Sequence, residues 1–179
     1  MKWDLASRDT MFASLPKGGV GAEIGVDWGE FSKSILMNAD PRLLYLIDCW
    51  EIQPEQVYGH DPANTQQDIK YRQCLQWYTT NERTKMVKAY SLDAATLFPN
   101  EYFDWLYIDA NHLQCALDIQ AWWPKVKPGG WLMGHDYVKG GVGDFITVAD
   151  DVDAFVAEAG LPLILTEDEI YQNWIVQKV

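Results

Sequence analysis

Short apolar runs alternate with longer stretches of helical spacing along this chain, and that alternation sets the first expectation of its architecture. Val20–Ile24, Leu43–Ile47, Thr84–Lys88 and Phe103–Ile108 read as strands, the third the weakest, and Trp131–Gly134 as a fifth. Helical spacing predicts helices over Phe31–Asn38, about Thr65–Tyr78 and Leu113–Trp123. On the last of these, Leu113, Ala116, Leu117 and Ile119 make the apolar face. A short helix opens the chain at Asp4–Ser14 and is stopped by Pro16-Lys17-Gly18-Gly19. Tyr90–Asp93 leaves the third strand, with Ser91 or Asp93 placed to cap a short helix. Lys127-Pro128-Gly129-Gly130 turns the chain into the fifth strand. Val148–Ala159 is a helix stopped by Gly160. Leu161–Leu165 and Trp174–Val179 close the chain as two strands joined by the acidic stretch Glu167–Glu169. With no helix between them, these two pair antiparallel as a hairpin at one edge. The rest predicts an α/β fold with a doubly wound, mostly parallel sheet.

Length and composition narrow the class. The 179 residues suit one domain, 1–179, with no repeat or linker. Hydrophobic residues make up 48% and charged residues 22%, which suits a globular chain with a core of its own. The formal net charge of −12 repels phosphate backbones and anionic headgroups, which argues against nucleic acid or a membrane as partner. Cys49, Cys74 and Cys115 have no CxxC spacing and read as reduced thiols. Neither a signal peptide nor an apolar run of the ~18 residues needed to span a bilayer is recognised, so the expectation is a cytoplasmic protein. A homo-oligomer is compatible with all of this. Nine tryptophans is a high count; some must be core, and Trp28, Trp50, Trp122 and Trp123 lie beside ligand-side loops, where packing is a commoner role than stacking on a ligand.

In an open α/β sheet, ligands bind beyond the C-terminal strand ends. The residues leaving the strands here form an acidic series, Glu23, Asp48, Asp109 and Asp136, with His112 and His135 nearby. The first turn, Glu23-Ile24-Gly25-Val26-Asp27-Trp28-Gly29, has Gly25 and Gly29 where backbone must approach a ligand and enter a helix. It lacks GxGxxG, and Glu23, Asp27 and Glu30 disfavour a pyrophosphate. They suit a ligand with an amine and a sulfonium, as in S-adenosylmethionine. Asp48 follows Gly25 by about 20 residues, the spacing of an acid that accepts from ribose hydroxyls. NAD and S-adenosylmethionine both carry such a ribose, so Asp48 does not choose between them.

The first turn resembles motif I of class I methyltransferases. The run Phe103-Asp104-Trp105-Leu106-Tyr107-Ile108-Asp109-Ala110-Asn111-His112 is similar to a more specific signature of a small single-domain group with IDxxH and GHDY motifs. So is Trp123-Pro124-Lys125-Val126-Lys127-Pro128-Gly129-Gly130-Trp131-Leu132-Met133-Gly134-His135-Asp136-Tyr137. The resemblance is strong from about Gly19 to Tyr137 and weak beyond. It implies a Rossmann-like sheet of about seven strands with an antiparallel edge hairpin. It implies that Glu23, Gly25 and Gly29 contact the methionine part of S-adenosylmethionine, that Asp48 holds the ribose, that Cys49 and Trp50 run along the adenine, and that Ser91 and Leu92 border its edge. This chain has fewer glycines in motif I and Ala110 where a glycine is common.

Neighbouring fourth and fifth strands would bring Asp109 beside His135 and Asp136, on one side of the methyl group. Related O-methyltransferases hold a divalent cation with acids at matching positions, which makes Asp109, Asp136 and the softer His135 candidate ligands for Mg²⁺ or another divalent cation. Without metal, His112 or His135 would serve as general base toward a substrate hydroxyl. The loop Gln53–Asn64, with Tyr58, His60 and Asp61, has the length of a lid. The reading is a methyltransferase acting on a small-molecule acceptor, a hydroxyl of a sugar or natural product by resemblance. The rival readings are a nicotinamide-dependent oxidoreductase and a non-catalytic adenosine-ligand binding module.

Overall fold

A strand covered on both faces reads as an unbroken apolar run, and β1 (Val20–Ile24) is buried at all five of its positions. In the computed structural model, which describes residues 2–54, 62–140, 147–167 and 171–179, β1 sits inside a seven-stranded sheet. Its companions are β2 (Leu43–Asp48), β3 (Thr84–Lys88), β4 (Phe103–Ile108), β5 (Val126–Tyr137), β6 (Ile164–Leu165) and β7 (Gln172–Gln177), in the order β3-β2-β1-β4-β5-β7-β6. The first five strands are parallel, and β7 runs antiparallel between β5 and β6. This is the mostly parallel sheet with an antiparallel C-terminal edge that the alternation predicts, and the Rossmann-like sheet of about seven strands that the resemblance implies.

Six α-helices cover the sheet among the described residues: α1 (Arg8–Ala13), α2 (Glu30–Asn38), α3 (Gln67–Tyr78), α4 (Ser91–Ala95), α5 (Cys115–Trp122) and α6 (Val148–Ala159). Alternate strand residues feed two cores. Ala22, Ile24, Leu106, Ile108 and Leu132 pack on one face with Ala94, Ile119, Trp122 and Val152 of α4, α5 and α6. Leu44, Leu46, Trp105, Tyr107 and Met133 pack on the other with Phe12, Ile35 and Tyr78 of α1, α2 and α3. No described helix is long and apolar enough to cross a membrane.

The departures from expectation have local causes. α1 starts at Arg8 because Ser7 caps it, accepting from the Thr10 amide while Thr10 Oγ1 accepts from the Ser7 amide. Three of the four residues expected on the apolar face of this segment, Leu113, Ala116 and Leu117, are exposed; the fourth, Ile119, is buried, together with Cys115, Asp118 and Trp122. Both sets have helical spacing, and packing against α4 and α6 selects the second, with its aspartate. Neither Ser91 nor Asp93 caps α4. Tyr90 holds the N-cap position, and Ser91 is the first helical residue. Lys127–Gly130 lies inside β5, where the pairing with β4 shifts register between Phe103 and Trp105. β6 is only two residues long, and β7 starts earlier than expected, at Gln172. Tyr58, His60 and Asp61 of the expected lid, and most of the acidic Glu167–Glu169 stretch, lie outside the described residues.

Candidate active site

The ends of β1, β2 and β4 must lie very close for their loops to share a ligand, and Gly25 makes this possible. Its φ is +91°, and a Cβ there would stand 2.0 Å from the Asp109 carbonyl oxygen. The Gly25 amide donates to the Ile47 carbonyl (2.9 Å), and the Asp109 amide donates to the Ile24 carbonyl (2.7 Å). Asp48, at the end of β2, holds the rest of the turn. Its Oδ2 accepts from the amides of Val26 (2.8 Å) and Asp27 (2.9 Å), and its Oδ1 accepts from the Trp50 amide (2.7 Å). Trp50 Nε1 donates to the Asp27 carbonyl at 3.0 Å. Asp27 and Trp50 both have positive φ, 51° and 41°, so strained backbone is concentrated where the turn meets the β2 exit.

Beside this turn opens a cavity of about 320 Å³. Gly25, Asp48, Cys49, Ser91 and Asp109, from the set expected to contact a cofactor, line it. Glu23, Gly29, Trp50 and Leu92 do not. Glu23 is 1% exposed and accepts a hydrogen bond from Ser32 Oγ, and burial raises its carboxyl to about 8. Gly29 caps α2 and lies beneath Tyr78, whose hydroxyl donates to its carbonyl. Trp50 is 1% exposed in the core, and Leu92 is exposed on α4.

The structure adds lining residues that strand-end reasoning missed. Asn111, Gln114 and Asp118 come from the approach to α5 and from the helix itself. Gln53, Asn64, Gln67 and Lys70 come from the β2–α3 connection and α3. Lys70 is a buried ammonium, 3% exposed, ion-paired with Asp27. The signal for Asp118 was its spacing with Cys115, Ile119 and Trp122, which fits a helix face once an aspartate is admitted to it. Lys70 carried no such signal, because its partner is 43 residues away in the chain.

Next to the cavity, His112, His135, Asp109 and Asp136 converge on a narrow recess between β4 and β5. His112 Nε2 lies 2.6 Å from Asp136 Oδ2, and His135 Nδ1 lies 3.1 Å from Asp136 Oδ1 and 3.8 Å from Asp109 Oδ1. Asp136 has φ +58°, a turn that lets one carboxylate face both imidazoles. Arg8, from α1, approaches Asp109 Oδ2 at 3.5 Å and was not anticipated at all. Burial opposes the charged form of each histidine, but hydrogen bonding to Asp136 and its charge outweigh burial and raise both. Burial also opposes the Asp136 anion, yet the two imidazoles hold it well below the usual carboxylate range. Asp109 is raised, chiefly by burial, with His135 and Arg8 acting against it. One ligand atom each from Asp109, His112 and Asp136 lie within 4.8 Å of one another. Two hard oxygens and an imidazole nitrogen fit a divalent cation, with His112 in the place first given to His135.

Comparison with known proteins bears on the family and the fold. Residues 22–137, well over half of the chain, match the profile of a methyltransferase domain family. No curated protein matches the sequence significantly. Among solved structures, a protein from Corynebacterium glutamicum superposes with a TM-score of 0.63 at 16% identity, covering 96% of this chain and 78% of its own. An O-methyltransferase family protein from Burkholderia thailandensis gives 0.63 at 16% identity, over 95% of this chain and 55% of that one. A methyltransferase from Podospora anserina bound to S-adenosylhomocysteine gives 0.63 at 14% identity, over 89% and 71%. These low-identity likenesses speak to the fold. The domain match, spanning the glycine turn, Asp48 and the histidine–carboxylate recess, shows that the chain belongs to the methyltransferase domain family and is a class I S-adenosylmethionine-dependent methyltransferase.

Proposed function

We propose that this enzyme transfers the methyl group of S-adenosylmethionine to a hydroxyl oxygen of a small molecule. The observation that carries the reading is the recess of two histidines and two aspartates opening beside the cofactor-sized cavity, with Asp109 in the wall of both. A hydroxyl is a poor nucleophile until it loses its proton, and this cluster is built to accept one. S-adenosylmethionine, when bound, would supply the methyl group to the substrate oxygen and keep the electrons of the broken sulfur–carbon bond as S-adenosylhomocysteine. The hydroxyl proton would pass to His112 or His135, whose imidazolium Asp136 would stabilise. The rest of the rate enhancement comes from holding the two reactants in line.

The cofactor would lie with its ribose against Asp48, whose oxygens keep acceptor capacity beyond their three backbone bonds, and with its methionine end along Gly25. The net charge of −12 favours a small acceptor over a nucleic acid. A divalent cation, where bound, would be held by Asp109, His112 and Asp136 and would supply a lowered pKa for the bound hydroxyl. Labelled methyl transfer to a panel of sugars, phenols and amines tests the proposal, run with and without excess chelator. Label in hydroxyl-bearing acceptors is expected. Label confined to amines would overturn the oxygen assignment, and transfer fully retained in chelator would leave the histidine route alone.

A further inference from the structure

Asp109 stands in the wall of both the cavity and the recess, and a permanent cation reaches it from outside the strand ends. Arg8 is the first residue of α1, the helix that Ser7 caps. Several contacts fix where its guanidinium lies. It stacks over the Phe31 ring of α2, 3.6 Å from the centroid. One of its nitrogens, Nη1, donates to the Tyr107 hydroxyl oxygen at 3.4 Å. Tyr107 gives its own hydrogen to Asn173 Oδ1 at 2.7 Å, so the phenol oxygen faces Arg8 as an acceptor. Tyr107 and Asn173 are both fully buried. The same Nη1 lies 3.5 Å from Asp109 Oδ2. α1 is itself tied to α2, because the Ser34 hydroxyl donates to Asp9. Groups on α2, β4 and β7 thus hold one guanidinium against one carboxylate of the recess.

A guanidinium stays charged at any pH an enzyme meets and has no lone pair to offer a metal. Toward a divalent cation held by Asp109, His112 and Asp136 it can therefore only compete. The two are like charges drawn to the same carboxylate. The Arg8–Asp109 pair is partly buried, so their repulsion is screened less than at an open surface. The other acid, Asp136, faces His112 and His135, so each carboxylate of the recess already has a nitrogen partner. We propose that Arg8 is the resident cation of the recess, neutralising Asp109 where a divalent ion would otherwise do so and keeping the enzyme's hold on such an ion weak. The charge of Asp109 is then balanced by the fold itself, and α1 sets the metal response of a site built on β4 and β5. This inference rests on the reading of Asp109, His112 and Asp136 as a set able to hold a cation, and it does not depend on the acceptor.

Manganese binding tests this, read by electron paramagnetic resonance at one fixed pH on the wild-type enzyme, Arg8→Gln and Arg8→Lys, each with its fold verified by thermal unfolding. Arg8→Gln removes the charge and should bind manganese about tenfold or more tightly than the wild type. Arg8→Lys keeps the charge and should stay within about threefold of the wild type. Equal affinity of the wild type and Arg8→Gln would overturn the role of Arg8 and leave the cation set standing. Binding by Arg8→Lys as tight as by Arg8→Gln would also overturn it, because charge would then not be the cause. Binding by none of the three would remove the cation set itself, and the role of Arg8 with it. Where Arg8→Gln does not fold, the wild type still decides, since tight, micromolar binding of manganese with Arg8 in place would overturn the proposal.

Discussion

At the scale of single residues, the acids at the strand ends divide by surroundings rather than by type. Asp48 stays a hydrogen-bond acceptor for three backbone amides, whereas Glu23, two positions before Gly25, is enclosed and raised to about 8 from an ordinary 4.5. That shift has a consequence for stability. Between about pH 4.5 and 8 the folded state keeps the Glu23 proton while the unfolded chain has lost it, so this group's contribution is fully present below the unfolded value and declines as pH rises toward 8. Glu23→Gln removes the titration and keeps an oxygen for the Ser32 hydroxyl. Urea unfolding should show the variant gaining on the wild type by up to about 4 kcal/mol between pH 5 and pH 8.5. A difference that is flat with pH would show that Glu23 is ionised in the folded state. The sequence placed Glu23 beside the ligand. Its enclosure comes from Ser32 on α2 and from the sheet around it, which no local pattern records.

At the scale of elements, the site depends on how closely β1 approaches β4. Gly25 has a positive φ and no space for a Cβ, while Gly129 has a positive φ with open space around it. Comparing the two separates backbone strain from collision. Gly129→Ala should cost about 1 kcal/mol, the price of strain alone. Gly25→Ala should cost more than about 3 kcal/mol by urea denaturation and should displace the Asp109 carbonyl and the loop behind it. Equal losses at the two positions would mean that the approach of β1 to β4 is not tight. α5 shows the opposite balance between pattern and packing. Its periodicity was legible, but two faces fitted the same spacing, and contacts with α4 and α6 turned Leu113 and Leu117 outward and Asp118 inward.

At the scale of the whole molecule, the sheet order brings loops from β1, β2, β3 and β4 around one cavity, so an occupant ties together segments that are distant in the chain. A ligand that binds only the folded state stabilises it by about 2.7 kcal/mol at one hundred times its Kd. For a chain of this size that is a rise in Tm of roughly 5–10 °C. S-adenosylhomocysteine should produce such a rise in a thermal melt, and NAD at the same concentration should produce none. A shift with NAD alone would contradict the assignment of the cavity.

By itself the sequence determined the element order, the parallel sheet with its antiparallel edge, and the strand-end positions of Gly25, Asp48, Asp109, His135 and Asp136. These follow from hydrophobic period, from glycine at a turn and from the rule that a strand's last residues face the ligand, all of which are properties of neighbours in the chain. The tertiary structure decided which of those residues line a cavity and which are core, as it did for Gly25 and Asp48 against Glu23 and Trp50. It brought Arg8 to Asp109 and Lys70 to Asp27, and it turned Asp118 inward. Such pairings join residues tens of positions apart, and whether a carboxylate is buried depends on what the rest of the chain lays over it.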